Sequence, residues 1–167
     1  MNFNSTTGYL LSKISPYKCG MKRQLEIRKN KLLLKRARMI HKSSKEPLVS
    51  VVIPTYNRAK ILTERTIPSI LRQTYQNFEV IIVGDHCKDN TPELIGEIYD
   101  KRIKFYNLPQ RGKYPEDPEH RWLVAGVVPV NKAIELSSGE WIAPLDDDDE
   151  FSEDHIEILL KHALLNN

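Results

Sequence analysis

Residues 140–151 read Glu-Trp-Ile-Ala-Pro-Leu-Asp-Asp-Asp-Asp-Glu-Phe, a short apolar run followed by four adjacent carboxylates. An apolar run of this length with polar residues on both sides has the pattern of a buried strand. The aspartates that follow repel one another, and a cation is their natural compensation. Oxygen ligands of this kind suit Mg²⁺ or Mn²⁺, often through one or two carboxylates together with substrate phosphates. On an extended backbone Asp146 and Asp148 would project to one side. Read by itself, the run is also compatible with a solvated acidic turn that caps the next helix. Its place after a buried strand favours the cation.

The same arrangement occurs twice upstream. Val49-Ser50-Val51-Val52-Ile53 is a β-branched run stopped by Pro54, and Thr55-Tyr56-Asn57-Arg58 follows it. Phe78-Glu79-Val80-Ile81-Ile82-Val83 is a second run, ending at Gly84 and followed by Asp85-His86-Cys87-Lys88-Asp89. Between them, Ile61 to Gln73 has helical spacing, with Pro68 marking a start or a kink. Thr91-Pro92-Glu93 reads as a helix start capped by the Thr91 hydroxyl and running to about Tyr99. Ile103 to Tyr106 is a third, shorter strand. Leu108 to His120 reads as a loop. Trp122 to Ser138 is helical in its second half, with Gly139 as its C-cap. Ser152 is expected to cap a last helix, with Glu153 and Asp154 in its first turn. Trp122 and Trp141 read as core residues. His86 and Cys87 supply fewer ligands than a zinc site requires.

Strands alternating with helices imply βαβ units and a parallel sheet, hence an α/β domain. In such sheets ligands bind beyond the carboxyl ends of the strands. The three polar clusters therefore meet on one edge.

Charge divides the chain. Residues 1–48 carry 12 Lys and Arg against Glu26 and Glu46, while residues 49–167 carry 13 against 20 Asp and Glu. A basic arm and linker (1–47) thus precedes an acidic domain (48–167). From Met21 to His41 the arm has no Pro or Gly, and Met21, Leu25, Leu32 and Met39 form a narrow helical stripe. Such a helix either lies on an anionic membrane or packs its stripe on the domain. The arm lacks the interleaved aromatics of a nucleic-acid binder, so no nucleic-acid partner is expected. No stretch approaches the ~20 apolar residues of a spanning helix. No signal peptide is evident, and Cys19 and Cys87 are too few for a disulfide scaffold. A cytoplasmic setting is expected, peripheral at the membrane's cytoplasmic face if the arm binds lipid.

In order and spacing, VSVVIPTYNR, FEVIIVGDHCKDNT and NKAIELSSGEWIAPLDDDDEF resemble the nucleotide-sugar-binding half of family 2 glycosyltransferases. The resemblance covers about Leu48 to Asn167. It implies a Rossmann-like GT-A parallel-sheet domain of three layers, α/β/α, here incomplete. It also implies transfer of a sugar from a nucleoside diphosphate, UDP favoured, to an acceptor hydroxyl with inversion. Position by position, Pro54 and Thr55, with Tyr56, Asn57 and Arg58 after them, match the loop along the nucleoside. Asp85 matches the aspartate that accepts a hydrogen bond from uracil. Asn131 matches the asparagine of the helix before the fourth strand. Asp146 and Asp148 match the DxD motif, with Asp147 between them on the nucleotide-sugar. Asp148, with Asp146 and Asp149, would hold Mg²⁺ or Mn²⁺.

The chain departs from the family pattern in places. His86 stands where the family commonly has glycine. Pro129-Val130 replaces an Ala-Arg pair, a cation that Arg121 or Lys132 would have to supply. Residues 110–121 either close over the donor or form an ordinary exposed loop. The family's catalytic base lies well beyond the DxD segment, so it is expected outside this chain. Within the chain the remaining titratable candidates are His120, Glu150, Glu153, Asp154, His155 and His162. The acceptor, whether glycan, lipid or protein, is left open. Two other classes stand beside an active transferase: a non-catalytic or split nucleotide-sugar-binding fragment, and a basic-arm adaptor with a simple cation site.

Overall fold

The computed structural model describes residues 46–165. The basic arm and its Met21–Met39 stripe lie outside the described residues. Four parallel strands form one sheet: β1 Val49–Thr55, β2 Phe78–Gly84, β3 Ile103–Asn107 and β4 Trp141–Pro144. Their order is β3-β2-β1-β4, so β1 and β2 are the central pair, joined in register from Val49↔Phe78 to Thr55↔Gly84.

The unbroken apolar runs of β1 and β2 follow from burial on both faces. Val49, Val51, Ile53, Phe78, Val80 and Ile82 turn to the larger core, where they meet Leu62, Ile67, Ile70, Ile95, Ile156 and Leu160. Val52, Ile81 and Val83 turn to the other face and pack against Ala133 and Leu108. Helices therefore cover both faces. On the larger core lie α1 (Ala59–Ile61), a π-helical turn (Leu62–Thr66) that continues it, α2 (Ile67–Leu71), α3 (Thr91–Gly96) and α6 (His155–Leu165). On the other face lies α5 (Val127–Leu136). Among the described residues no helix is long and apolar enough to cross a membrane.

Several boundaries differ from the sequence reading for identifiable reasons. β1 does not stop before Pro54 but passes through it to Thr55. The Val52 carbonyl faces β4, accepting from Leu145 N, so Pro54, two residues on, also points to that side. β4 has ended at Pro144, opposite Val52, and no ladder donor is lost. Pro68, by contrast, does mark a helix start, as read. It sits in the first turn of α2, and the wide π turn ahead accommodates a residue without an N–H. Thr91 is not the cap of α3 but its first residue; Asp89 Oδ1 accepts from both its amide and its hydroxyl. A short helix, α4 (Pro118–Val124), occupies ground read as loop, capped by Asp117. Trp122 lies on it and is 80% exposed, because α4 buries no side chain. Trp141, in contrast, packs against the larger core. The last helix starts at His155, so Ser152 precedes its cap and accepts His155 N through its carbonyl.

Gly139 is not a C-cap either. It is required by close approach, since a Cβ there would lie 2.6 Å from Ser50 N and Oγ. Its amide donates to Ser50 Oγ, which donates in turn to Glu79. Glu79 is buried within β2, where its Oε1 accepts from Ser50 Oγ, Ser138 N and Ser138 Oγ and its Oε2 from Lys104 Nζ at 2.8 Å. Burial opposes its charge, but Lys104 and these donors pull its pKa down to about 2.

Because the folded value lies below the ordinary one, Glu79 adds stability above about pH 4.5 that is lost as pH falls toward 2. Urea unfolding should find Glu79→Gln roughly 2–3 kcal/mol less stable at pH 7. The variant should also lose less of its stability than the parent between pH 5 and 2; parallel pH profiles would contradict this role.

Candidate active site

The three strand ends form one connected edge. Asp85 N donates to Thr55 O at 2.8 Å, joining the loops after β1 and β2. Asn57 takes a left-handed φ of 53°, which asparagine tolerates, and its side chain accepts from Lys88 N at 2.8 Å. His86 also has a positive φ, 60°, at the position where the family pattern has glycine. Its Nδ1 lies 3.2 Å from Leu108 O. Cys87 is buried, and its amide and carbonyl are both bonded by the Asn107 side chain. Gly84 permits this approach: a Cβ there would lie 2.6 Å from Asn107 Oδ1. Asp89 accepts from Ala59 N as well as Thr91, tying together the starts of α1 and α3. Burial opposes its charge, yet these donors hold its carboxyl below the usual range.

The aspartate run is a turn rather than an extended segment, because Asp149 N donates back to Asp146 O. Asp147 points inward and its side chain is 12% exposed, whereas Asp146 and Asp149 lie at the surface. Burial pushes the Asp147 carboxyl up, against the pull of Thr55 and Arg58. Arg58 ion-pairs with Asp148 and lies 3.6 Å from Asp147 Oδ1. Thr55 Oγ1 is close enough to favour the Asp147 charge but has no partner in hydrogen-bond geometry, although it is buried.

A polar stripe that runs along the π turn and α2 to Gln73, just past the helix end, fixes this turn. Thr66 Oγ1 donates to Asp147 O, and Ser69 Oγ accepts from Phe151 N. Gln73 donates to Ser152 O and accepts from Ile156 N. All three side chains are buried. Sequence reasoning did not single them out, although positions 62, 66, 69 and 73 share one helical face with core Leu62.

Asp85 is 3% exposed. Its Oδ1 accepts from Gly112 N at 2.8 Å and its Oδ2 from Tyr114 OH at 2.9 Å. Arg111 Nε lies 3.5 Å from Oδ2, and the Arg111 guanidinium stacks on the Tyr56 ring at 3.7 Å. Burial and Asp85 push the Tyr114 hydroxyl up to about 12. Sequence reasoning missed Gly112 and Tyr114, which approach Asp85 from a loop with no periodicity to mark it.

Asn131 lies exposed on α5. Arg121 is bonded to Pro115 O and Glu116 O, and Lys132 to Glu135. His120 is held by Asp117, Glu150 by Arg65, and His155 stacks on Phe151.

Oxygen donors at the acidic turn, and the orphaned Thr55 hydroxyl beside it, fit a hard divalent ion. Among the described residues no three His, Cys, Asp or Glu side chains converge to hold one. An ion here would therefore complete its shell with substrate oxygens.

The family model described as Glycosyl transferase family 2 matches residues 50–115 and 127–167. The chain belongs to glycosyl transferase family 2. Residues 116–126, which contain α4, fall between the matched segments. A β-1,3-glucosyltransferase of Campylobacter jejuni, named for GalNAc(5)-diNAcBac-PP-undecaprenol, is 32% identical over 119 residues, 70% of this chain and 35% of that protein. S. aureus TarS (residues 1–349), solved with UDP-GlcNAc, superposes with a TM-score of 0.53 at 25% identity, over 71% of this chain and 31% of that one. The mannosyltransferase PcManGT of Pyrobaculum calidifontis, solved with GDP-Man and Mn²⁺, shares the fold at a TM-score of 0.50 and 24% identity, over 72% of this chain and 35% of that one. The parallel sheet and its helices are thus a GT-A Rossmann-like domain. Relatives are longer, and the chain spans 15% and 38% of the length of two of them.

Replacing Gln73 by Leu should test the polar stripe. It strands the Ser152 carbonyl and the Ile156 amide, at a cost of about 2–4 kcal/mol in urea unfolding. A change below about 0.5 kcal/mol would mean that water or another group serves them as well.

Proposed function

We propose that the chain binds a UDP-sugar through a divalent cation for inverting transfer to an acceptor hydroxyl. The supporting observation is the convergence of Thr55 to Arg58, Asp85 and Asp146 to Asp149 on the carboxyl edge of one parallel sheet. TarS, solved with UDP-GlcNAc, supports the choice of donor.

In this reading Pro54, Thr55 and Tyr56 line the nucleoside, and Asp85 accepts an N–H of the base. Those contacts orient the sugar. Asn57 holds the first loop against Lys88. Arg58 supplies positive charge to the diphosphate side, and Asn131, exposed on α5, is a further polar group for the nucleotide-sugar. Asp148, with Asp146 and Asp149, would hold Mg²⁺ or Mn²⁺, which when bound neutralises charge on the departing diphosphate. Asp147 keeps the turn in place from beneath. The acceptor proton passes to a base outside residues 46–165. Among the in-chain candidates, His120, His155, Glu150 and Asp154 already have structural partners.

Calorimetry decides the donor side. UDP should bind in Mn²⁺ and lose roughly ten-fold or more in affinity in chelator. Asp148→Asn should remove most of that difference. Equal affinity in Mn²⁺ and in chelator would overturn the metal's part, and absence of binding in both would overturn the donor reading.

The setting we propose is the cytoplasmic face of a membrane, reached through the basic arm. Its charge of one sign suits anionic lipid and is screened by salt. The full chain should pellet with anionic vesicles at low salt, and a chain beginning at Glu46 should not. Equal pelleting would refute the arm's role.

A further inference from the structure

In this structure the Asp85 carboxylate is taken up by the chain itself, with Gly112 N on one oxygen and Tyr114 OH on the other. Its side chain is 5% exposed, so no base reaches it while this arrangement stands. An ionised carboxylate only accepts, so whatever displaces these groups must bring a donor. The two donors are not equivalent. Gly112 gives a backbone amide in a tight spot: a Cβ there would lie 2.8 Å from the Tyr114 ring and 2.9 Å from Val128 Cγ2. Tyr114 gives a side-chain hydroxyl, which can leave by rotation and a modest loop shift. The segment leads into α4, which buries no side chain. Its hydrogen bonds among the described residues are few, Gly112 and Tyr114 to Asp85 and Arg121 to Pro115 and Glu116, and Tyr114 is only half-buried, the profile of a segment that opens locally.

We infer that the Tyr114 hydroxyl is a placeholder, holding on Asp85 Oδ2 the position that a nucleobase imide N–H takes on binding. The inference rests on the reading of Asp85 as the base-recognising carboxylate. Between local openings Gly112 N returns to Oδ1 and keeps the carboxylate aimed. Release of Tyr114 also lifts Arg111 off the Tyr56 ring, which it covers in the closed arrangement. The matching ligand is a base with one ring N–H facing the carboxylate, as in uracil. Cytosine presents a ring-nitrogen acceptor at the same point and meets the carboxylate with repulsion.

Arg111 and Lys113 make the closed segment directly readable, since trypsin cleaves after each. In the full chain without nucleotide, Tyr114→Phe should speed cleavage at these two sites by roughly ten-fold, the loss of one hydrogen bond to a charged group. Cleavage elsewhere should be unchanged, which shows that the variant is folded. UDP with Mn²⁺ should speed cleavage of the parent chain at the same sites. In calorimetry UDP should bind Tyr114→Phe more tightly than the parent, and CDP should bind both at least roughly ten-fold more weakly than UDP. Unchanged cleavage in the variant, weaker UDP binding by it, or protection of the segment by UDP would each overturn the placeholder while leaving the donor reading intact. Failure of UDP to bind either protein would overturn the donor reading and the placeholder with it.

Discussion

A backbone that leaves a parallel sheet as a turn of four aspartates has amides and carbonyls to satisfy and cannot use its own side chains for most of them. Here the π turn, α2 and a residue just past the end of α2 do it. Thr66, Ser69 and Gln73 take up the Asp147 carbonyl, the Phe151 amide, the Ser152 carbonyl and the Ile156 amide. Buried polar groups left without partners cost a sizeable part of a domain's net stability, so this stripe is not optional. It sets the height of the acidic turn relative to β1, and so brings Asp148 to Arg58 and Asp147 beneath Thr55. The π-helical turn serves the same end, because it adjusts the helix just before Pro68 while keeping Thr66 on the buried side.

A second constraint lies at the opposite edge of the sheet. Glu79 interrupts an apolar strand with a carboxylate, yet four donors from β1, β3 and the segment before β4 meet it there. Such a fully bonded buried charge ties the register of the strands to its partners, because each of its bonds holds only in one alignment. One position of slip between β1 and β2 would separate Ser50 from Glu79 and place Asp85 away from the Thr55 carbonyl. The polar knot at one edge therefore helps align the loops at the other.

The strands and their order of chemistry were legible because β1 and β2 are buried on both faces and leave continuous β-branched runs. The convergence of Thr55, Asp85 and Asp146 was legible for the same reason, since parallel strands put their carboxyl ends on one side. What escaped reading depended on distant partners. Pro54 looked like a stop, and only the shortness of β4 makes it harmless inside a strand. Gly139 has the position of a helix cap, but its reason lies in Ser50. Trp122 carries an apolar side chain with no core beneath α4. Gly112 and Tyr114 stand 27 and 29 residues from Asp85, in a segment whose prolines and glycine speak only of a loop. Extended geometry for the aspartate run was a fair expectation for residues following a strand, and the Asp149-to-Asp146 bond replaces it with a turn.

The contacts at the strand-end edge differ in permanence. Those that shape the backbone are buried or half-buried and neutral or multiply bonded: Asp89 on two helix starts, Thr66 on Asp147 O, Asn107 on Cys87. Those that neutralise charge are arginine pairs, Arg58 with Asp148 and Arg65 with Glu150, whose side chains are 40 to 52% exposed. Exposed pairs of this kind contribute at most about 1 kcal/mol each. A diphosphate and its cation could therefore rearrange Arg58 and Asp148 without disturbing the loops that carry them. Asp85 stands between the two classes, buried like the first and held by a loop contact that can be exchanged. The edge thus combines a fixed frame with replaceable counter-charges, so that in the proposed reading the energy of donor binding need not be spent on unfolding the frame that positions it.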